Sequence, residues 1–213
     1  MSTSFIVLDH HEFNLEEKYF SLNGEQYEYM LAYSTFGLNE RIVEIPLMCK
    51  YIQNAKGKNV LEVGSVFSLL LKGLFDVVDL TEVGPGIINL DIVDYQPGKK
   101  YDLIFSISTI EHFGRGDYGD QEDEKKLKKA IDHIISLLSD GGVFVATIPT
   151  GWNKQLDRLI VDKSLPFQEI YAMKRVSVGV WKQTEITEVM EFRYDFPFKY
   201  ANGICICVFE NRG

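Results

Sequence analysis

The chain has 213 residues, of which 46% are hydrophobic and 25% are charged, proportions that exclude a disordered, collagen-like or coiled-coil protein. A chain of this length buries roughly 70% of its unfolded surface, which is enough for one substantial core. Its 22 Lys and Arg residues against 31 Asp and Glu residues give a formal net charge of −9, the wrong sign for a general nucleic-acid binder.

The sequence predicts no membrane span, because no apolar run approaches the ~20 residues that a span needs. The first residues also lack the basic flank and long apolar stretch of a secretory signal. The three cysteines suit a reducing compartment, and their spacing predicts no zinc site. We therefore expect a cytoplasmic protein with no metal, nucleic-acid or membrane partner.

Residues 1–55 predict an N-terminal extension packed on a main domain of residues 56–213, so that the chain is effectively a single domain. Asn23 and Gly24 stand between two aromatic-rich segments, a signal for a β-hairpin. A helix then begins after Asn39, a suitable N-cap, and runs toward Ile52 with a kink expected at Pro46.

Five short apolar runs rich in β-branched residues follow the extension. They lie at residues 60–63, 77–80, 87–92, 103–107 and 143–148. Nearly continuous apolar runs, rather than an alternation of apolar and polar residues, are typical of strands covered on both faces. The five runs therefore predict a mostly parallel sheet.

Helices are predicted between these runs. Residues 67–74 predict a short helix after the first strand, and apolar residues recur at helical spacing from Leu127 to Leu138. Four lysines between residues 125 and 129 are assigned to the solvent-facing side of the second helix. The alternation of strands and helices predicts a doubly wound α/β domain.

The end of the chain predicts one helix at residues 152–162 and then antiparallel strands at residues 171–180, 184–192 and 204–209. Cys205 and Cys207 lie two residues apart in the last strand. We expect them to share one face and to pack as small hydrophobic side chains.

Acidic residues end three consecutive strands, and small polar residues follow the fourth. In an open α/β sheet, ligands bind beyond the carboxyl ends of the strands. Carboxylates there can accept hydrogen bonds from ribose hydroxyls or an adenine amine, and Gly64 allows a close approach of the backbone to a ligand. Taken singly, these residues suit helix caps and turns equally well, whereas their order along the chain favours ligand contacts.

The ordered motifs resemble those of the S-adenosylmethionine-dependent methyltransferases with a Rossmann-like fold. The similarity covers about residues 59–149 and rests on Val60-Leu61-Glu62-Val63-Gly64, Val78-Asp79-Leu80, Asp91, the segment 101–106, Ile110-Glu111-His112 and the turn at residues 138–142. The resemblance implies a seven-stranded, mostly parallel sheet in the order 3-2-1-4-5-7-6, with an antiparallel seventh strand at residues 204–209.

The resemblance also implies S-adenosylmethionine as the cofactor and a set of residues that bind it. These are Glu62, Gly64, Ser65, Asp79, Leu80, Asp91, Ile92, Ser106 and Ser108. The first three would form a turn near the methionine moiety, Asp79 would hold the ribose hydroxyls, and Asp91 would meet the adenine amine. The isoleucine after Asp91 would pack on the adenine ring, and the two later serines would line the floor of the pocket.

The first loop departs from the family pattern of three glycines at alternate positions. Only Gly64 is present, because Val66 and Ser68 occupy the other two positions. Their Cβ atoms restrict the backbone, so that we expect a remodelled loop. A subset of methyltransferase-like sequences with Gly-x-Val-x-Ser and a later Ser-x-Ser-Thr-x-Glu-His is similar to this chain. A dinucleotide-binding loop is excluded, since it needs glycine where Val66 and Leu69 stand.

His112 follows the fourth strand and is a candidate general base, because histidine changes its charge near neutral pH. Equally, its ring can bind Glu111 or the main chain and only shape the loop. Residues 114–119 form a glycine-rich loop that is a candidate gate for the substrate. In the extension, residues Tyr27, Tyr29, Tyr33, Phe36 and Arg41 either cap the site or cover the sheet.

These residues predict an S-adenosylmethionine-dependent methyltransferase that acts on a small polar molecule, such as a metabolite, saccharide or natural-product intermediate, by in-line transfer. Two other hypotheses stay open. One is a methyltransferase-like binding or scaffold domain without catalysis, whose pocket is filled by side chains such as Phe67. The other is an α/β enzyme that uses a different adenosine ligand. The acceptor atom, whether oxygen, nitrogen or carbon, is not determined by the sequence.

Overall fold

The computed structural model describes residues 17–30, 39–70 and 73–213, and Tyr33 and Phe36 lie outside these ranges. The extension contains a hairpin of β1 (Tyr19–Leu22) and β2 (Glu25–Glu28), followed by helix α1 (Arg41–Asn54). The main sheet consists of β3 (Val60–Val63), β4 (Asp76–Asp79), β5 (Ile87–Asn89), β6 (Tyr101–Ile107), β7 (Leu138–Pro149), β8 (Glu169–Ser177), β9 (Val180–Thr184) and β10 (Gly203–Glu210). The remaining helices are α2 (Lys126–Ser136), α3 (Lys154–Val161) and α4 (Ile186–Met190).

The strand order of the main sheet is β5-β4-β3-β6-β7-β10-β8-β9. Strands β3 to β7 pair in parallel, and β10 runs antiparallel between β7 and β8. Counted from β3, the first seven positions follow the predicted order 3-2-1-4-5-7-6, and the antiparallel seventh strand is confirmed. The sheet has one more strand than the predicted seven, because β9 pairs with β8 at the edge.

The C-terminal segment differs from the prediction at two places. The expected strand at residues 171–180 turns back at Val178 and Gly179, where Gly179 has φ +78, and so divides into β8 and β9. The expected strand at residues 184–192 is wrong, since helix α4 occupies it. Its apolar residues Ile186, Val189 and Met190 recur at helical spacing and pack on the core, which a strand of the same sequence would not allow.

The early crossovers are short. The helix predicted at residues 67–74 is only a 3₁₀ turn at Phe67–Leu69, and among the described residues no α-helix connects β3 to β4, β4 to β5 or β5 to β6. Helix α2 forms the first helical crossover. None of the helices in the described part of the chain is long and apolar enough to cross a membrane.

Apolar side chains form two buried layers, one on each face of the sheet. One layer joins the sheet to α2 and α3 and contains Cys205 and Cys207, whose predicted packing as small hydrophobic residues is confirmed. The other joins the sheet to the extension, where Ile45 and Met48 of α1 lie in one cluster with Phe105 of β6. The extension therefore covers one face of the sheet.

Tyr29 ties the extension to the edge of the sheet. Its hydroxyl accepts the Trp181 N–H over 2.8 Å and donates to the Trp181 carbonyl over 3.3 Å. Both residues are buried, and the hydroxyl thus satisfies two main-chain groups that water does not reach. The aromatic residues of the extension were expected either to cap the site or to cover the sheet, and Tyr29 covers the sheet.

Replacement of Tyr29 by phenylalanine is expected to lower the free energy of unfolding by about 1–3 kcal/mol, because it leaves a buried N–H and a buried carbonyl without partners. Urea titration followed by circular dichroism measures the change. The matched control is Tyr19→Phe, which removes an exposed hydroxyl and should change stability little. Equal stability of both variants would contradict this role of Tyr29.

Candidate active site

Two carboxylates hold the loop that follows β3. The Ser65 N–H donates to Asp79 Oδ2 over 2.7 Å, and the next three N–H groups, of residues 66–68, donate to the Glu62 carboxylate over 2.5–3.0 Å. Four consecutive main-chain donors are therefore satisfied by side chains of β3 and β4. These hydrogen bonds fix the loop without an α-helix.

Gly64 is the one position of this loop that requires glycine. It has φ +88, and a Cβ there would stand 2.2 Å from Thr109 Oγ1. Val66 has φ −112, and neither Val66 nor Ser68 has a positive φ. The glycines missing from these two positions are therefore not needed, because the carboxylates, and not glycine flexibility, shape this loop.

A cavity of about 270 Å³ opens at the carboxyl ends of β3, β4 and β6. The predicted site residues that line it are Gly64, Ser65, Asp79, Leu80, Asp91, Ile92, Ser108 and His112. One cavity thus brings together residues that are far apart in the chain.

Glu62 and Ser106, which the sequence predicted as ligand contacts, do not line the cavity. Glu62 is fully buried, and burial raises the pKa of its carboxyl to about 7 although the three N–H donors lower it. The Ser106 hydroxyl donates to the Val63 carbonyl over 2.8 Å and is equally buried. Both residues position the loop and the strands around the cavity.

One end of the cavity carries Asp79 and Asp91. Asp79 Oδ1 accepts the Thr81 and Glu82 N–H groups, each over 2.8 Å, whereas the Ser65 N–H is the one donor to Oδ2 among the described residues. Because a carboxylate oxygen has about two acceptor positions, Oδ2 keeps one for a ligand. Asp91 caps a 3₁₀ turn through the Val93 N–H, and its other oxygen meets a lysine.

That lysine, Lys126, was predicted on the solvent face of its helix, and this is wrong. It is buried, lines the cavity and bridges Asp91 and Asp120. Burial lowers the pKa of Lys126, but the two carboxylates raise it by a larger amount, so that the ammonium group stays charged. The spacing of Lys126, Ala130 and Ile134, all buried on one side of α2, is the signal that could have revealed it.

The other end of the cavity carries His112. Its Nδ1 lies 3.0 Å from Asp117 Oδ2, and its Nε2 lies 3.7 Å from Glu111 Oε1. The ring meets Tyr118 and Trp152 edge to face, with centroid distances of 4.8 and 5.5 Å. The glycine-rich rim loop thus contributes Asp117 and Tyr118 to the cavity wall, which the sequence located only as a flexible segment.

Charged residues of α1 and its N-cap are buried beside this end. Arg41 lines the cavity and pairs with Glu44, whose Oε1 accepts the Ser108 hydroxyl over 2.7 Å. Burial and the repulsion of Glu44 raise the pKa of Glu40. Burial also raises the pKa of Glu111 well above its ordinary value, and its Oε2 has no partner among the described residues.

Comparison with known proteins identifies the fold. No family model and no curated protein matches the sequence. Among solved structures, the N-methyltransferase NodS from Bradyrhizobium japonicum WM9 matches at 15% identity and a TM-score of 0.51, over 82% of this chain and 97% of that chain. Its complex with S-adenosyl-L-homocysteine matches with the same identity and TM-score, over 82% of this chain and 89% of that chain. The chain has the Rossmann-like methyltransferase fold.

No group of three or more His, Cys, Asp or Glu side chains within residues 17–30, 39–70 and 73–213 is arranged to hold a metal ion.

The raised pKa of Glu62 predicts a pH-dependent stability. Below about pH 4.5 the carboxyl is protonated in both states, and between about pH 4.5 and 7 the unfolded chain loses the proton first. Wild-type stability therefore falls across this range relative to Glu62→Gln, by up to about 3 kcal/mol. Urea titrations at several pH values measure the difference.

The matched control for this titration is Glu191→Gln, which changes an exposed carboxylate. Its stability relative to the wild type should not vary with pH. If the difference in stability between the wild type and Glu62→Gln is equally independent of pH, the pKa of the Glu62 carboxyl is not raised in the folded protein and the prediction is wrong.

Proposed function

We propose that this protein is an S-adenosylmethionine-dependent methyltransferase that acts on a small polar molecule. The observation that carries the proposal is the single cavity that joins Asp79 and Asp91 at one end to His112 at the other. Its position at the carboxyl ends of parallel strands is where α/β sheets bind ligands. The methyltransferase fold, and the S-adenosyl-L-homocysteine named in the NodS complex, support this choice of cofactor.

The lining residues fit the cofactor part by part. Leu80 and Ile92 offer apolar contacts to the adenine ring, and Asp91 has acceptor capacity for its amine. Asp79 Oδ2 has one acceptor position for a ribose hydroxyl. The positive charge of Arg41 suits the methionine carboxylate. The volume of about 270 Å³ is just below the range of typical ligand pockets, roughly 300–1,000 Å³.

When bound, S-adenosylmethionine supplies an electrophilic methyl group, which the acceptor atom gains as the carbon–sulfur bond breaks and sulfur keeps the electron pair. The protein's contribution is to align the acceptor and to receive its proton. His112 is the proton acceptor that we assign, because it lines the cavity and Asp117 holds its Nδ1.

A small-molecule acceptor also fits the charge of the cavity. Among the described residues the lining holds five carboxylates, Asp79, Glu82, Asp91, Asp117 and Asp120, against the cations Arg41 and Lys126. A nucleic-acid backbone would be repelled by this excess of negative charge.

A binding domain without catalysis is the second candidate. It is favoured by Asp79, whose carboxylate already accepts three main-chain N–H groups and so has little capacity left. It is disfavoured by Phe67, which the scaffold hypothesis places in the pocket. Phe67 instead packs against Phe75 and Phe105 in the core and does not line the cavity.

Calorimetric titration with S-adenosyl-L-homocysteine tests the cofactor assignment. Replacement of Asp79 by alanine should weaken binding by about 1–3 kcal/mol, or roughly tenfold to hundredfold, because it removes a ligand acceptor and loosens Ser65. The control Asp132→Ala changes an exposed carboxylate of α2 and should leave affinity unchanged. Unaltered affinity in a folded Asp79→Ala variant would refute the ribose assignment, and titration with NADH and ATP tests the other adenosine ligands.

Replacement of His112 by asparagine tests the catalytic assignment. Turnover should fall by roughly 10²–10⁴-fold with little change in affinity for S-adenosyl-L-homocysteine, since the loss affects proton transfer. Methyl release from labelled S-adenosylmethionine measures turnover once an acceptor is found. Equal turnover would leave His112 with a purely structural role.

A further inference from the structure

The His112 end of the cavity combines aromatic rings with a carboxylate. The Asp117 side chain is 28% exposed, and the residues Tyr118 and Trp152 are 70% and 38% exposed. Asp117 and Tyr118 line the cavity, whereas Trp152 is not among the lining residues. Trp152 Nε1 lies 3.5 Å from Asp117 Oδ2, and the His112 ring contacts both aromatic rings. Exposed rings beside a carboxylate form the surroundings that ammonium groups prefer, because the ring faces carry negative charge.

The buried layer behind these residues has an excess of negative charge. Three carboxylates, Glu40, Glu44 and Glu111, lie close enough to influence one another, and Arg41 is the cation among them. Burial raises the pKa of Glu40 and of Glu111, so that this excess is present only where their carboxyl groups are ionised. Arg115, on the outer side, is exposed and lies 3.5 Å from Asp117 Oδ2.

Glu111 is a buried acid next to His112 and is not itself one of the residues that line the cavity. Its side chain is 98% buried, since only 2% of the residue is exposed, and its Oε2 has no hydrogen-bond partner within the described residues. Its Oε1 points toward His112, which lines the cavity. An unpartnered buried carboxyl oxygen is costly for the fold, and such groups are retained where a ligand or a proton supplies the missing partner.

We propose that the methyl acceptor is a small primary or secondary amine, which enters in its ammonium form and is held by Asp117 beside the ring of Tyr118. This inference rests on the proposed methyltransferase function and names its substrate class. An alcohol of the same shape lacks the charge that Asp117 and the buried carboxylates attract.

Transfer to an amine also requires a proton acceptor at this end. An ammonium nitrogen has no free electron pair, so one proton must leave it before the nitrogen can form a bond to carbon. The geometry gives this proton to the His112 imidazole, which becomes imidazolium between Asp117 and Glu111. The Asp117 carboxylate stabilises that cation, and Glu111, on the Nε2 side of the ring, acts as a positioning residue.

Titrations of the protein saturated with S-adenosyl-L-homocysteine test the amine site. The probes are three amine and alcohol pairs of matched shape: benzylamine and benzyl alcohol, cyclohexylamine and cyclohexanol, glucosamine and glucose. We expect at least one amine to bind about tenfold or more tightly than its alcohol. Alcohols that bind as well as the amines, or the failure of every amine to bind, would overturn the inference.

Two variants locate the site. Asp117→Asn and Tyr118→Leu should each weaken the amine by about tenfold and leave affinity for S-adenosyl-L-homocysteine and the alcohols unchanged. Asp132→Asn, on the exposed face of α2, is the control that should change nothing. Unchanged amine affinity in both site variants would place the amine elsewhere and overturn the inference.

The two proposals fail in different ways. If S-adenosyl-L-homocysteine does not bind, the proposed function is wrong, and the same amine titrations of the unliganded protein still decide whether Asp117 selects an ammonium group. Glu111→Gln adds a readout that needs no ligand. It should raise the melting temperature by roughly 2–4 °C, because it removes an uncompensated buried acid, and a lower melting temperature would assign Glu111 to the fold alone.

Discussion

The site depends on two carboxylates that take the place of a glycine-rich loop. Glu62 from β3 and Asp79 from β4 accept the main-chain N–H groups of residues 65–68 and so fix the turn beside Gly64. A glycine-rich turn gains its shape from backbone freedom, whereas this turn gains it from hydrogen bonds to carboxyl oxygens. Val66 and Ser68 are therefore compatible with an open cavity.

This arrangement gives Asp79 two tasks. It holds Ser65 and the segment after β4, and it presents its remaining acceptor capacity to the cavity. Lys126 also has two partners, since it pairs with Asp91 at one end of the cavity and with Asp120, the residue that follows the rim loop. The rim loop reaches the other end through Asp117, which contacts His112. The same short segment therefore contacts both halves of the site.

The parallel strands and their acidic ends could be predicted, because each depends on a local apolar run and on the rule that parallel strands end at one edge. The strand order came from the resemblance to the Rossmann-like methyltransferases. Strand β9 and helix α4 could not be predicted, since an apolar residue every three or four positions in a short segment fits a strand or a helix until packing decides. Lys126 was missed because its partner Asp91 is 35 residues away. The cluster of Glu40, Arg41 and Glu111 was missed for the same reason, as it joins the extension to the loop after β6.

The most direct test of the methyltransferase assignment is a crystal structure of the protein grown with S-adenosyl-L-homocysteine. Our account predicts that the ligand occupies the cavity, with its adenine against Leu80 and Ile92 and its ribose at Asp79, while the loop at residues 64–68 keeps the hydrogen bonds to Glu62. An empty cavity at saturating ligand, or a ligand bound elsewhere, would contradict it.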